Sequence, residues 1–137
     1  MQQIMNVLPM DVVRYIIPYT YNVQNKTLLN DIKNYTETKI KVLLVCSNYF
    51  AINDDVAVEN ELLYTLFDYI YMTSNIHKYI QVFTRNSQLK TRFDVYNYVV
   101  NLQKKTVNTQ INIIWGLLTQ EERNDIIVIF QKKYQRD

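Results

Sequence analysis

The chain has 137 residues, 15 of them basic and 13 acidic, for a formal net charge of +2; that length suits one domain, and the charge balance argues against nucleic acid or an anionic membrane as the main partner. A hydrophobic content of 48 % excludes a disordered chain. One Gly and two Pro leave an all-β domain without the residue that supplies positive φ in its tight turns, so helices joined by Asn- and Asp-rich turns are expected.

In chain order, Pro9 suits the first turn of a helix, where a missing N–H costs nothing. Met10, Val13, Ile16 and Ile17 follow at helical spacing, and Pro18 ends the run. Residues 19–26 read as a polar connection. Leu28, Leu29, Ile32 and Tyr35 form a second apolar face, with Asn25 or Thr27 as cap. A third helix is predicted over 38–51, with Ile40, Leu43, Leu44 and Ser47 on one side. Asn53-Asp54-Asp55 is a break. Beyond it Val58, Leu62, Leu66, Tyr69 and Ile70 carry a longer helix, with Glu59 and Glu61 at the end where the helix dipole favours acids.

Thr73-Ser74-Asn75 offers the next cap, followed by Ile76, Tyr79, Ile80 and Phe83 at helical spacing. Residues 85–88 are a polar break. Phe93, Tyr96, Val99, Val100 and Leu102 predict another helix, and Ile111, Ile114, Trp115 and Leu118 the next, ending near Gly116. Thr119 and Glu122 have the spacing of a capping box. It opens a last helix that buries Ile126, Ile127, Ile129, Phe130 and Tyr134, with Lys132, Lys133 and Arg136 at its C-terminal end. The runs 96–100 and 126–130 also satisfy strand propensity, but their flanks favour helix. The expected fold is an all-α compact bundle of six to eight short helices. It forms a single domain over 1–137, with the remainder 54–137 packed on the segment 8–50, because no Pro-, Gly- or Ser-rich linker divides the chain.

Few residues here could carry chemistry. One Gly cannot build a phosphate cradle. Cys46 and His77 are the only thiol and imidazole. They cannot make a structural zinc site, and nothing in their spacing pairs them as nucleophile and base. Cys46 cannot form an internal disulfide, so a reducing compartment is expected. The acidic cluster Asp54, Asp55, Glu59 and Glu61 lacks the alternating ligands and the Gly of a calcium loop, and helix capping explains it better. No catalytic residue, cofactor site or metal site is expected, and the chain reads as a non-enzyme.

Nucleic acid is not the favoured partner. Lys26, Lys33, Lys39 and Lys41, the pairs Lys104-Lys105 and Lys132-Lys133, and Arg85, Lys90 and Arg92 are basic, and Tyr35, Tyr79, Phe93 and Tyr96 have rings that stack on bases in other settings. However, acids are spread through the same regions, and the rings fall on the predicted apolar faces. No run approaches the roughly 18 apolar residues of a membrane span, and no basic region followed by an apolar run opens the chain. The expectation is a soluble protein with no membrane partner. Tyr15, Tyr19 and Tyr21 are candidate interface anchors, although core packing explains them as well.

Leu8-Pro9-x-Asp11-Val12-Val13-x-x-Ile16-Ile17 and Leu44-Val45-Cys46-x-x-Tyr49 together resemble the two ends of the F-box, a helical adaptor segment. The resemblance covers about a third of the chain. It implies that Leu8, Pro9, Val12, Val13, Ile16, Ile17 and Tyr49 contact a Skp-type adaptor of cullin ubiquitin ligases. Two departures stand against it. About ten extra residues separate the halves, and Pro18 falls where the family continues toward a second short helix. The insert from Tyr19 to Tyr35, and Trp115-Gly116-Leu117-Leu118-Thr119-x-Glu121-Glu122-Arg123-Asn124, look like segments of short proteins of giant viruses of the mimivirus kind. Asn, Ile, Lys and Tyr supply 52 residues against 10 for Gly, Ala, Arg and Pro. This skew fits the AT-rich codons of such a genome and makes twelve tyrosines less telling. The expected function is therefore a non-enzymatic protein–protein interaction module of a giant virus, an F-box-like adaptor used in host takeover, located in host cytoplasm or viral factory. The alternatives are a scaffold or regulatory subunit of a viral complex (virion, transcription or translation) and a nucleic-acid-binding helical protein.

Overall fold

A computed structural model describes residues 25–50, 55–72 and 76–134. Among them are six helices and no strand: α1 (Lys26–Phe50), α2 (Asp55–Met72), α3 (Ile76–Thr84), α4 (Arg92–Leu102), α5 (Val107–Leu117) and α6 (Gln120–Tyr134). The all-α expectation holds, and both strand-prone runs are helical. The chain divides into two units, Met1–Ile32 and Lys33–Asp137. In the first, the described residues open α1: the Asn25 side chain accepts from the Thr27 N–H at 3.0 Å, and Leu28, Leu29 and Ile32 are exposed.

Two predicted helices, one carrying Leu28 to Tyr35 and one starting at Thr38, are a single 25-residue helix. The stretch Thr36-Glu37-Thr38 looks like a break but holds neither Gly nor Pro. The Thr38 hydroxyl donates back to the Asn34 carbonyl at 2.5 Å, which satisfies it inside the helix. Lys33 and Glu37 add an exposed i,i+4 pair at 3.8 Å. The buried side of α1 also differs from expectation. It runs through Thr38, Val42 and Cys46, flanked by half-buried Tyr35, Leu43 and Val45, while Ile40 and Leu44 face outward.

The core gathers the expected apolar rows of the later helices. Val58, Leu62, Leu66 and Ile70 of α2 recur at i, i+4, i+8 and i+12 and are buried. They meet Val82 and Phe83 of α3, Ile111, Ile114 and Trp115 of α5, and Ile126, Ile127 and Phe130 of α6. Helix α2 packs on α5 and α3, and α3 packs on α4. Ile129, expected inside, is exposed, because Ile126, Ile127 and Phe130 already fill the inward row of α6. Helix α4 departs further: its buried row is Val95, Val99 and Leu102, so Phe93, Tyr96 and Val100 lie outside.

Helix ends are fixed by side chains. The Thr119 hydroxyl accepts from the Glu122 N–H at 3.2 Å, and Glu122 accepts from the Thr119 N–H at 2.9 Å, which is the predicted capping box. Thr91 and Asp94 form a second one at α4. Thr106 caps α5, accepting from the Thr109 N–H at 3.3 Å. Buried Gln110 donates to the Lys105 carbonyl at 2.8 Å and so secures the α4–α5 turn.

A polar cluster sits inside this apolar packing. Arg123 is fully buried; its Nε donates to the Trp115 carbonyl at 2.9 Å and its fork reaches Asn34 Oδ1 at 3.1 Å. Trp115 Nε1–H donates to the Tyr35 carbonyl at 3.2 Å, and the Tyr35 ring lies 5.5 Å from the guanidinium. These bonds tie α1 to α5 and α6. The sequence hid this, because an Arg between Glu122 and Asn124 reads as part of a solvated helix face.

Candidate interaction surfaces

Of the residues assigned to partner contact, Leu8, Pro9, Val12, Val13, Ile16 and Ile17 lie outside the described residues, as do Tyr15, Tyr19 and Tyr21. Tyr49 is described: it stands exposed near the end of α1, its ring 4.5 Å from that of Tyr134. Among the other residues of the F-box-like closing segment, Leu44 is exposed, Val45 half-buried and Cys46 fully buried. The outward face of α1 therefore presents Ile40 and Leu44, 54 % and 56 % exposed and one helical turn apart.

Val45, Asn48, Tyr49 and Tyr134 line a depression of about 280 Å³. The acid near it is engaged: Glu61 accepts from Lys133 Nζ at 2.5 Å and from the Tyr134 hydroxyl. Those hydrogen bonds, from Lys133 first and then Tyr134, hold the Glu61 carboxyl below its ordinary range. Burial, with Glu61 adding to it, pushes the Tyr134 hydroxyl up to about 12. The Cys46 thiol is pushed up to about 12 by burial, with Glu61 nearby adding to the effect. It is a buried protonated thiol, a poor nucleophile. His77 is exposed on α3. Of the acidic cluster, Glu61 is engaged in this pair and Glu59 is half-buried, while Asp54 lies outside the described residues. Among the described residues no group of three His, Cys, Asp or Glu is placed to hold a metal, and no helix is long and apolar enough to cross a membrane.

A second polar group joins α3 to α6. Arg85 forms a bidentate pair with Glu122 at 2.6 and 2.9 Å and donates to the Leu117 carbonyl at 2.9 Å. Burial pushes the Glu122 carboxyl up, but Arg85 and the Thr119 N–H outweigh it and hold the carboxyl below its ordinary value. Nearby the Tyr69 hydroxyl lies 3.2 Å from Asp125, and Lys78 Nζ sits 3.7 Å from the Tyr69 ring centre. All these groups are spent on one another, and the cluster reads as a clamp between helices.

The outer face of α4 has a different character. Its exposed residues fall in two neighbouring rows, Arg92-Tyr96-Val100 and Phe93-Asn97-Asn101, with exposed Lys104 and Lys105 in the turn after the helix. Phe93 and Tyr96 are 71 % and 62 % exposed. Both were expected on the buried side; Val95, Val99 and Leu102 take it instead. The only acid on α4, Asp94, is outside both rows, and its carboxylate accepts the N–H groups of Lys90 and Thr91 at 3.1 and 2.9 Å. Searches of protein-family models, of curated proteins and of solved structures find no match to this chain.

Proposed function

We propose that the chain is a non-enzymatic protein–protein interaction module that docks through the outward face of α1. The observation that carries this reading is the pair Ile40 and Leu44, more than half exposed on a helix whose opposite side is core. Burying such half-exposed aliphatic chains against a partner contributes about 1 kcal/mol each. That makes them anchors within a larger contact, which needs on the order of 800 Å² per side to be stable. The near-absence of reactive groups fits the same reading: the one cysteine is buried, and the acids near the α1 depression and at the α3–α6 clamp are consumed in ion pairs.

Within this reading the finer proposal is a giant-virus F-box-like adaptor that engages a Skp-type partner during host takeover, in host cytoplasm or viral factory. Exposed Leu44 and Tyr49 support it; the Leu8-Pro9 opening contributes by sequence alone. The test is calorimetric titration of the full chain with a purified Skp-type adaptor, using Ile40→Asp and Leu44→Asp as variants. Micromolar or tighter binding that both variants abolish supports the adaptor. No heat at about 50 μM chain removes the F-box proposal. If the chain is then crosslinked in infected cells and its protein contacts are indifferent to both variants, docking through α1 falls as well.

A further inference from the structure

We infer that the outer face of α4 binds single-stranded nucleic acid, with Phe93 and Tyr96 as stacking platforms and Arg92, Lys104 and Lys105 as phosphate contacts. This is separate from docking through α1 and does not depend on it.

Charge is the first ground. Residues 90–105 contain four basic side chains, Lys90, Arg92, Lys104 and Lys105, against the single acid Asp94, whereas the rest of the chain has eleven basic residues against twelve acidic. The small overall charge conceals one strongly basic segment. The Asp94 carboxylate accepts the Lys90 and Thr91 N–H groups at the start of α4. Among the described residues Arg92, Lys104 and Lys105 are in no ion pair. The second ground is exposure. Aromatic rings this open on a helix that already has a full buried row contribute nothing to the core, and two of the rings that the sequence assigned to apolar faces prove to be outside. Helix α4 itself, from Arg92 to Leu102, is roughly 15 Å long at a helical rise of 1.5 Å per residue.

The surroundings select the occupant. A second copy of this chain would pair the face with itself across a two-fold axis and set cation against cation. A duplex hides its base faces in the stack and cannot use open rings. An unpaired strand offers both bases for stacking and phosphates for the cations. An acidic protein segment would satisfy the charges, but amide-bearing Asn97 and Asn101 and a lone Val100 make a poor apolar core for a protein contact.

The experiment is fluorescence anisotropy of the full chain with labelled 20-nucleotide oligo(dT) and oligo(U), and with a 20-base-pair duplex, at 25–200 mM KCl. The expected result is tighter binding to the single strands than to the duplex, with log affinity falling against log salt at a slope of about −2, for three phosphate contacts. Phe93→Ala and Tyr96→Ala each weaken binding about fivefold or more, and Lys104→Glu with Lys105→Glu flattens the salt slope. Lys33→Glu with Lys41→Glu on α1 changes affinity less than twofold. Unchanged Trp115 fluorescence shows that each variant is folded. The inference is overturned by no binding at 25 mM KCl, by duplex binding as tight as single-strand binding, by indifference to the ring variants, or by a polyglutamate peptide that competes as well as oligo(dT), which would mark an acidic-protein surface.

Discussion

Replacing Arg123 by Met probes the polar cluster that joins three helices. Met keeps an apolar stem of similar length but leaves the Trp115 carbonyl and Asn34 Oδ1 without the donors that reach them at 2.9 and 3.1 Å. Two hydrogen bonds to a charged donor are worth about 1.5–3 kcal/mol each. Removing a buried charge also relieves its desolvation, which offsets part of the loss. The net cost expected is about 2–4 kcal/mol, and it arises mainly because the Trp115 carbonyl stays buried while Asn34 is only half-buried. Trp115, the only tryptophan and fully buried, reports unfolding without a label. A urea titration followed by its emission should show the midpoint falling by about 1–2 M with an unchanged slope. Arg123→Lys, which keeps the charge but not the fork, should fall between the two. A Met variant with its midpoint within about 0.3 M of the parent, or above it, would refute the reasoning, since the acceptors would then have found other partners at no cost.

Three more predictions follow from buried or paired groups. The Thr65 hydroxyl on α2 is buried without a partner, so Thr65→Val should raise stability by about 1 kcal/mol in the same titration. Cys46, buried and with its thiol pushed up to about 12, should react with a disulfide reagent at pH 8 only as fast as the protein opens, and at once in denaturant. Equal rates in both would refute its burial. Glu61 is held below its ordinary carboxyl value by Lys133 and Tyr134, so its contribution is present above the unfolded value, near 4.5, and is lost as pH falls through the lower folded value. Glu61→Gln should therefore be less stable than the parent at pH 7, with the difference shrinking progressively as pH falls below about 4.5 in thermal melts; a difference that does not shrink would show that the pair contributes through packing.

Fold class and most helix positions are legible from local sequence. The scarcity of Gly, the Thr119–Glu122 capping box and the i, i+4 rows of α2, α5 and α6 are local signals, and the structure uses each of them. Local signals fail where two faces of one helix are both apolar enough to be buried. On α4 the competing rows are Phe93, Tyr96 and Val100 against Val95, Val99 and Leu102; on α1 they are Ile40 and Leu44 against Val42 and Cys46. Periodicity cannot rank such rows, because burial is decided by which neighbours arrive, not by the hydropathy of the row itself. The same holds for Arg123, whose burial depends on a carbonyl of α5 and an amide of α1 meeting beside it. By itself the sequence determined an all-helical chain with little reactive chemistry. Only the tertiary structure decided which apolar residues are left over, and those left outside on α1 and α4 are where partners are proposed to bind.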